Sequence, residues 1–377
     1  MIETIRGGGY NEQYSHSIGI LTFWYVPNYG AFAQAYALNK VIRKMTDEKV
    51  GVYHIGWLHP CHRKLYFERR KPQCDSVRRA ISPWFYYDII KYIFNKKVRY
   101  EAFEEDWNII PHVDVHTESD LENIEWDTII TGSDAIWEYS VKDFGDDIHL
   151  IGNNLKCNKL YSYAASFGDM GADDNFYSFI SEGLKKYDEI SVRDMTSKQI
   201  VNKLTGRKAE IVIDPTLLYD FKNDKNIPKS KYENYILVYG HNFTPEIIAD
   251  VKSYADKNNL CIIGAGLAPE WCDIKLPQMG PLEWIGMFKD AEFTVTCTFH
   301  GLMFSINYNK KVLFNQVEYV ANRSAWLINQ LGLEDLFKNV TLDKVLSYKW
   351  DYDMINEKLE SLREDSIKFL QRALANE

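Results

Sequence analysis

The stretch Ile18-Gly19-Ile20-Leu21-Thr22-Phe23-Trp24-Tyr25-Val26-Pro27-Asn28-Tyr29-Gly30-Ala31-Phe32-Ala33-Gln34-Ala35-Tyr36-Ala37-Leu38 begins as an apolar, β-rich run. It breaks at Pro27-Asn28 and continues as an alanine-rich helical segment to about Lys44. Asn28 is a suitable N-cap, and Gly30 permits a tight turn and close backbone approach. The junction is therefore strand, turn, helix, with the helix N-terminus offering N–H donors to an anion or a sugar hydroxyl.

The same alternation recurs along the chain and predicts parallel sheets with helices on both faces, an α/β fold. Ile18–Tyr25, Val50–Ile55, Asp127–Thr131, Lys159–Ala165, Glu189–Val192 and Glu210–Ile213 read as strands of a first sheet. Tyr235–Tyr239, Leu260–Ile263, Phe293–Cys297 and Lys311–Phe314 read as strands of a second. The charged, proline-containing segment 220–233 is the expected linker, giving units 1–219 and 234–345. A helix over 346–377 is expected to return to the first unit. Two such units leave a cleft between the carboxyl edges of their sheets, so functional residues are expected just after strands.

Six segments meet that expectation. They are Asn28-Tyr29-Gly30 with Gln34, Gly132-Ser133-Asp134 with Trp137, Ser191-Val192-Arg193-Asp194, Asp214-Pro215-Thr216, Thr298-Phe299-His300-Gly301, and Asn322-Arg323-Ser324. Asp134, beside a hydroxyl and a ring, suits holding sugar hydroxyls or accepting a proton; equally, Ser133 or Asp134 suits a helix N-cap. Arg193 suits a forked contact to phosphate or carboxylate, or a structural pair with an aspartate. Asp214 before proline reads first as a turn residue. His300 at a helix start is placed to donate a proton, with Gly301 leaving room for a ligand. Asn322-Arg323-Ser324 reads as a helix opening, with Arg323 as a second cation.

Composition sets the outer bounds. With 377 residues, 46% of them hydrophobic, the chain is long enough for two cores. A net charge of −9 argues against a nucleic-acid-binding surface. That total conceals a basic segment: His62–Tyr100 carries eleven Lys and Arg against three Asp and Glu, interleaved with aromatic residues. Asp88–Phe94 within it has helical periodicity with an apolar face. A solvated helical insertion over about 62–110 and a docking face at an anionic membrane surface both fit this composition. The six cysteines show no CxxC pairing, and Met1–Ser17 has no apolar core, so a cytoplasmic protein is expected. His59-Pro60-Cys61-His62 lacks the spacing of a zinc site, and no metal is expected.

Taken in order, the six segments resemble the polysaccharide pyruvyl transferase family, in the branch with Phe-His-Gly (Phe299-His300-Gly301) and Thr298 where other members carry arginine. Leu217-Leu218, Phe304-Ser305-Ile306 and Leu331-Gly332-Leu333 extend the match. The resemblance implies a GT-B-like pair of Rossmann-like domains facing across a cleft. It also implies transfer of a pyruvyl group from phosphoenolpyruvate to a sugar of a surface polysaccharide or its lipid-linked precursor, as a ketal with loss of phosphate and no cofactor. In that scheme His300 protonates the donor and Arg193 and Arg323 hold its anionic groups. Asp134 serves as base or hydroxyl ligand. Backbone donors at Gly30 and Gly301 meet the phosphate, and Asn28, Tyr29, Gln34, Gly132, Ser133, Thr298 and Phe299 line the substrates. Lys310, Lys311 or the basic segment would replace the arginine absent at Thr298. The resemblance further implies a glycan partner, possible peripheral contact with the inner membrane surface, and no nucleic acid; it leaves the acceptor sugar and oligomeric state open. The alternatives are a nucleotide-sugar glycosyltransferase on the same architecture and a non-catalytic glycan-binding protein. Against the first, Glu270, Glu283, Glu292 and Glu318 have no glutamate eight residues on. Pro269 spoils Gly264-Ala265-Gly266 as a dinucleotide fingerprint, which argues against a dehydrogenase.

Overall fold

The computed structural model describes residues 14–67, 86, 98 and 100–375. Most of the basic segment, including Arg69, Arg70, Lys71, Arg78, Arg79 and the periodic stretch 88–94, lies outside the described residues.

Two all-parallel sheets carry the fold. The first contains β1 (His16–Leu21), β2 (Val50–Gly56), β3 (His112–Asp114), β4 (Glu125–Thr131), β5 (Lys156–Ala165), β6 (Glu189–Val192) and β7 (Glu210–Ile211), in the order β3-β2-β1-β4-β5-β6-β7. The second contains β8 (Tyr235–Tyr239), β9 (Cys261–Ala265), β10 (Ile274–Leu276), β11 (Phe293–Thr296) and β12 (Val312–Phe314), in the order β10-β9-β8-β11-β12. Each order reverses once, between β1 and β4 and between β8 and β11. Those two crevices are where loops diverge to opposite faces and leave room for a ligand. The ten strands expected from sequence are present. The two missed, β3 and β10, are three-residue edge strands whose sequences His-Val-Asp and Ile-Lys-Leu have too little apolar pattern to register.

Central strands are buried on both faces, with Ile18, Ile20, Ile236 and Val238 fully enclosed. The helix Tyr29–Met45 is buried around most of its circumference because it serves both sheets. Its later residues Leu38, Val41 and Ile42 pack with Ile18 and Ile20 of β1. Its earlier residues Tyr29, Phe32 and Tyr36 pack with Tyr235, Leu237 and Ile263 of the second sheet. The two sheets thus share a continuous apolar core beneath the cleft. Phe221, in the 220–233 segment, is buried in that same core, so the stretch expected to be a linker is docked rather than free.

The final helix, Tyr352–Leu374, straddles both halves. Ile355 and Leu359 pack in the core of the second sheet, whereas Phe369, Leu370, Ala373 and Leu374 pack with β1. Two polar contacts seat it beside the first sheet: Ile213 N–H donates to Ser366 Oγ at 3.0 Å, and Arg363 Nε donates to the Leu217 carbonyl at 2.6 Å. Among the described residues no helix is long and apolar enough to cross a membrane.

Candidate active site

Residues of all six segments meet at the two crevices. After β4 the chain turns sharply: Gly132 has φ +107°, and a Cβ there would lie 2.3 Å from the Tyr163 carbonyl oxygen. This turn aims Ser133 and Asp134 into the cleft, and no helix follows, so neither residue is a cap. After β6, Arg193 is buried and reaches two carboxylates at once: NH2 donates to Asp134 Oδ1 at 3.0 Å and NH1 to Asp214 Oδ2 at 3.1 Å. Its guanidinium lies 4.4 Å above the Phe299 ring. The forked contact foreseen for Arg193 is thus made to the protein's own aspartates.

Asp214 closes β7 and is more than the turn residue its proline suggests. Its Oδ1 caps the next helix, accepting from Thr216 N at 3.0 Å and Thr216 Oγ1 at 2.7 Å. Its Oδ2 accepts from Ser133 Oγ at 3.2 Å as well as from Arg193.

His300 enters from the second sheet. Thr298 caps the helix Phe299–Asn307 and directs the ring back over the first sheet's crevice. The ring lies directly on Gly30: a Cβ there would fall 2.0 Å from His300 Nδ1. Nε2 faces Asp214 Oδ2 at 3.8 Å. Burial pushes the His300 pKa down; Asp214 and Asp134 work against this without cancelling it, and Arg193 and Arg323 reinforce it. The imidazole is therefore neutral near pH 7. Burial works upward on the Asp134 carboxyl, but Arg193, His300, the Ala135 N–H and Arg323 together outweigh it and hold the pKa below the ordinary range. Asp134 is ionised, which suits it to accept hydrogen bonds and makes it a weak base.

Arg323 lies in the second turn of the helix Glu318–Leu331, not at its opening as the sequence suggested. It reaches across the cleft to Asp169 at 2.8 Å and rests by the Tyr319 ring. A pocket between these groups is lined by Arg193, Asp214, Phe299, Arg323 and Trp326. Two buried nitrogens of its lining residues, Arg193 Nε and Arg323 Nε, have no hydrogen-bond partner, and neither has His300 Nε2, which faces Asp214 of the same lining.

Several expected contacts fall elsewhere. The Gly30 N–H is taken by the Asn28 side chain at 3.0 Å and the Gly301 N–H by Thr298 Oγ1 at 3.1 Å, so neither is free to meet a phosphate. Tyr29 is buried, with its hydroxyl donating to the Met279 carbonyl at 3.0 Å in the shared core. Gln34 is buried and donates to Thr22 Oγ1 at 3.1 Å and the Ala31 carbonyl at 2.9 Å; Thr22 Oγ1 in turn donates to the Ser133 carbonyl at 2.8 Å. Gln34 thus braces the Ser133 turn from below. Lys310 cannot replace the arginine absent at Thr298, because its amine bonds the Ala291 carbonyl at 2.7 Å at the amino edge of the second sheet. Lys311 is at that edge too, its carbonyl accepting from Thr294 N. Asp169 and Trp326 were missed. Asp169 had a readable signal, a carboxylate beside Gly168 shortly after β5, but its partner is 154 residues away.

Two doubly wound parallel sheets meeting at their crevices define the GT-B type of fold. A UDP-N-acetylglucosamine 2-epimerase superposes with TM-score 0.52 at 8% identity, covering 97% of each chain. The enzyme MnaA of S. aureus, solved with UDP, gives 0.47 at 8% identity over 96% of this chain and 97% of its own. The putative 2-epimerase of Listeria monocytogenes gives 0.49 at 8% identity over 96% and 97%. At such identities the likeness concerns the fold alone. No curated protein sequence matches the chain. Residues 28–314 match the model of the polysaccharide pyruvyl transferase family, and the chain belongs to that family of transferases.

Proposed function

We propose that the protein transfers the pyruvyl group of phosphoenolpyruvate to two hydroxyls of one sugar in a surface polysaccharide or its lipid-linked precursor, releasing phosphate. The observation that carries this reading is the pocket lined by Arg193 and Arg323, whose Nε atoms are buried without a hydrogen-bond partner, with the equally unpartnered His300 Nε2 beside its Asp214. A small polyanion with an enol carbon to protonate uses all three.

In the ligand-free site Asp134, Asp169 and Asp214 already face Arg193 and Arg323. Arg193 is buried and held by two aspartates, so Arg323 is the cation the donor engages, displacing the more exposed Asp169. A bound phosphate and carboxylate raise the proton affinity of His300, which charges as the donor arrives. His300 Nε2–H then gives its proton to the methylene carbon and leaves C2 electrophilic. A sugar hydroxyl attacks C2 and returns a proton to His300 Nε2, and the C2–O bond to phosphate breaks. A second hydroxyl of the same sugar attacks C2 and passes its proton to the departing phosphate, closing the ketal. Asp134, ionised and partly open to the cleft, orients the hydroxyls.

The test is incubation with phosphoenolpyruvate and a panel of galactosides, glucosides and mannosides, free and lipid-linked. The expected result is phosphate release with an acceptor mass gain of one pyruvate less one water, abolished by His300→Ala. Near-normal turnover of His300→Ala would remove the histidine from the chemistry. Stabilisation by UDP-sugars with no response to phosphoenolpyruvate would favour a nucleotide-sugar transferase instead.

A further inference from the structure

We propose that Asp214 is the positioning residue of this site, a fixed charge close enough to favour a proton on His300 Nε2 and too far away to bind that proton itself. The inference rests on the pyruvyl-transfer reading for its consequence in turnover, and on geometry alone for the coupling between the two residues.

The carboxylate of Asp214 is immobilised at both oxygens. Oδ1 is held by the backbone and hydroxyl of Thr216, and Oδ2 by Ser133 Oγ and Arg193 NH1. These donors come from three different strand ends, those after β4, β6 and β7, and Asp214 is buried at their meeting point. Four donors at 2.7–3.2 Å leave the group no freedom to turn towards a ligand. Its Oδ2 lies 3.8 Å from His300 Nε2, beyond a hydrogen bond yet well within the range where an opposite charge favours the protonated ring.

In a relay of the Ser-His-Asp kind the aspartate bonds the nitrogen remote from the substrate and fixes the tautomer. Here it faces Nε2, a buried nitrogen that has no hydrogen-bond partner. The opposite ring edge is closed off, because Nδ1 lies on Gly30. Asp214 therefore leaves the Nε2–H unspent. The charged groups facing His300 are Asp214, Asp134, Arg193 and Arg323. The two arginines oppose protonation. Asp134 is bonded to Arg193 and partly exposed, so Asp214 is the fully buried carboxylate acting in its favour.

Asp214→Asn tests this: the amide oxygen can keep the helix cap to Thr216, while the charge is lost and an amide NH2 replaces the oxygen that accepted from Ser133 and Arg193, so thermal unfolding is measured beside both readouts. Two readouts are paired. The first is the His300 Cε1–H titration by NMR in the ligand-free protein, assigned by its loss in His300→Gln. The midpoint is expected to move down by about one pH unit or more in Asp214→Asn. An unchanged midpoint would overturn the coupling. The second is the ratio of variant to wild-type phosphate release with phosphoenolpyruvate and acceptor. A lost charge lowers the variant most where the ring is deprotonating, so with the donor-bound ring titrating between pH 6 and pH 8 the ratio at pH 6 should exceed that at pH 8 about three- to sixfold. An equal ratio at both values, with normal thermal unfolding, would mark Asp214 as merely structural and overturn the proposal. If wild type itself releases no phosphate, the functional reading fails, and the NMR titration still decides the coupling.

Discussion

Replacing Gly30 by Ala adds one methyl group at the point where the first sheet's helix meets the second sheet's histidine. The new Cβ would lie 2.0 Å from His300 Nδ1, 2.6 Å from Cγ and 2.8 Å from Cε1. Ordinary contact begins near 3.4 Å, so the ring must retreat by about 1.4 Å. Phe299 packs edge-on to the ring at 5.2 Å and itself lies beneath Arg193, so retreat disturbs the cation as well. Misplacement of a reacting group by ~1 Å costs on the order of 100-fold in rate, equivalent to ~2.7 kcal/mol of barrier. Alanine in an exposed helix interior is favoured over glycine by up to ~1 kcal/mol, which partly offsets the clash in overall stability. The assay pairs phosphate release with thermal unfolding, in wild type and in a His300→Ala background. Turnover should fall by on the order of 100-fold in Gly30→Ala. Any loss of stability should vanish when His300 is alanine, because the clash partner is gone. Wild-type turnover in Gly30→Ala, or the same destabilisation in both backgrounds, would refute the reasoning.

Asp169→Asn should tighten donor binding several-fold by freeing Arg323, seen as a lower KM for phosphoenolpyruvate with kcat little changed; an increased KM would mean that Asp169 holds Arg323 in place for the donor. Gly132→Ala should cost on the order of 2–3 kcal/mol or more in chemical denaturation, because its φ of +107° and the Tyr163 carbonyl at 2.3 Å both exclude a side chain. Stability should also fall in mild acid through His54, which is wholly buried against the Ala35 carbonyl. Burial pushes its pKa down to about 3, while the unfolded chain binds the proton near the ordinary value of 6.5. The stabilising difference is therefore complete above about pH 6.5 and lost progressively as pH falls towards 3. Between pH 7 and pH 5 this one residue should account for ~2 kcal/mol, and His54→Gln should flatten that part of the pH–stability curve.

The fold was legible because its signals are local. A parallel strand covered on both faces needs four or five consecutive apolar residues, and Tyr235–Tyr239 or Phe293–Thr296 supply them without reference to the rest of the chain. Asn28 acts as a cap through hydrogen bonds within three residues, which is why that reading stands; the same kind of contact makes Thr298 a cap, a role the sequence reading did not give it. Short edge strands carry no such signal. The site was legible only as a set of positions at strand ends. Where each side chain points depends on partners far away in sequence, such as Gly30 beneath His300, Asp134 and Asp214 on Arg193, and Asp169 on Arg323.

Residue chemistry and order along the chain were enough to establish an α/β protein of two parallel sheets, the family, and the strand ends that carry cations, carboxylates and a histidine. Tertiary structure alone assigned their parts. It turned Arg193 inward onto two aspartates and set Arg323 against Asp169. It also spent the Gly30 and Gly301 N–H groups on caps and made Asp214 a fixed charge beside His300. The physical reason is that propensity and capping act over a few residues, whereas desolvation and charge pairing depend on distances of 3–4 Å between groups that only the packed sheets bring together.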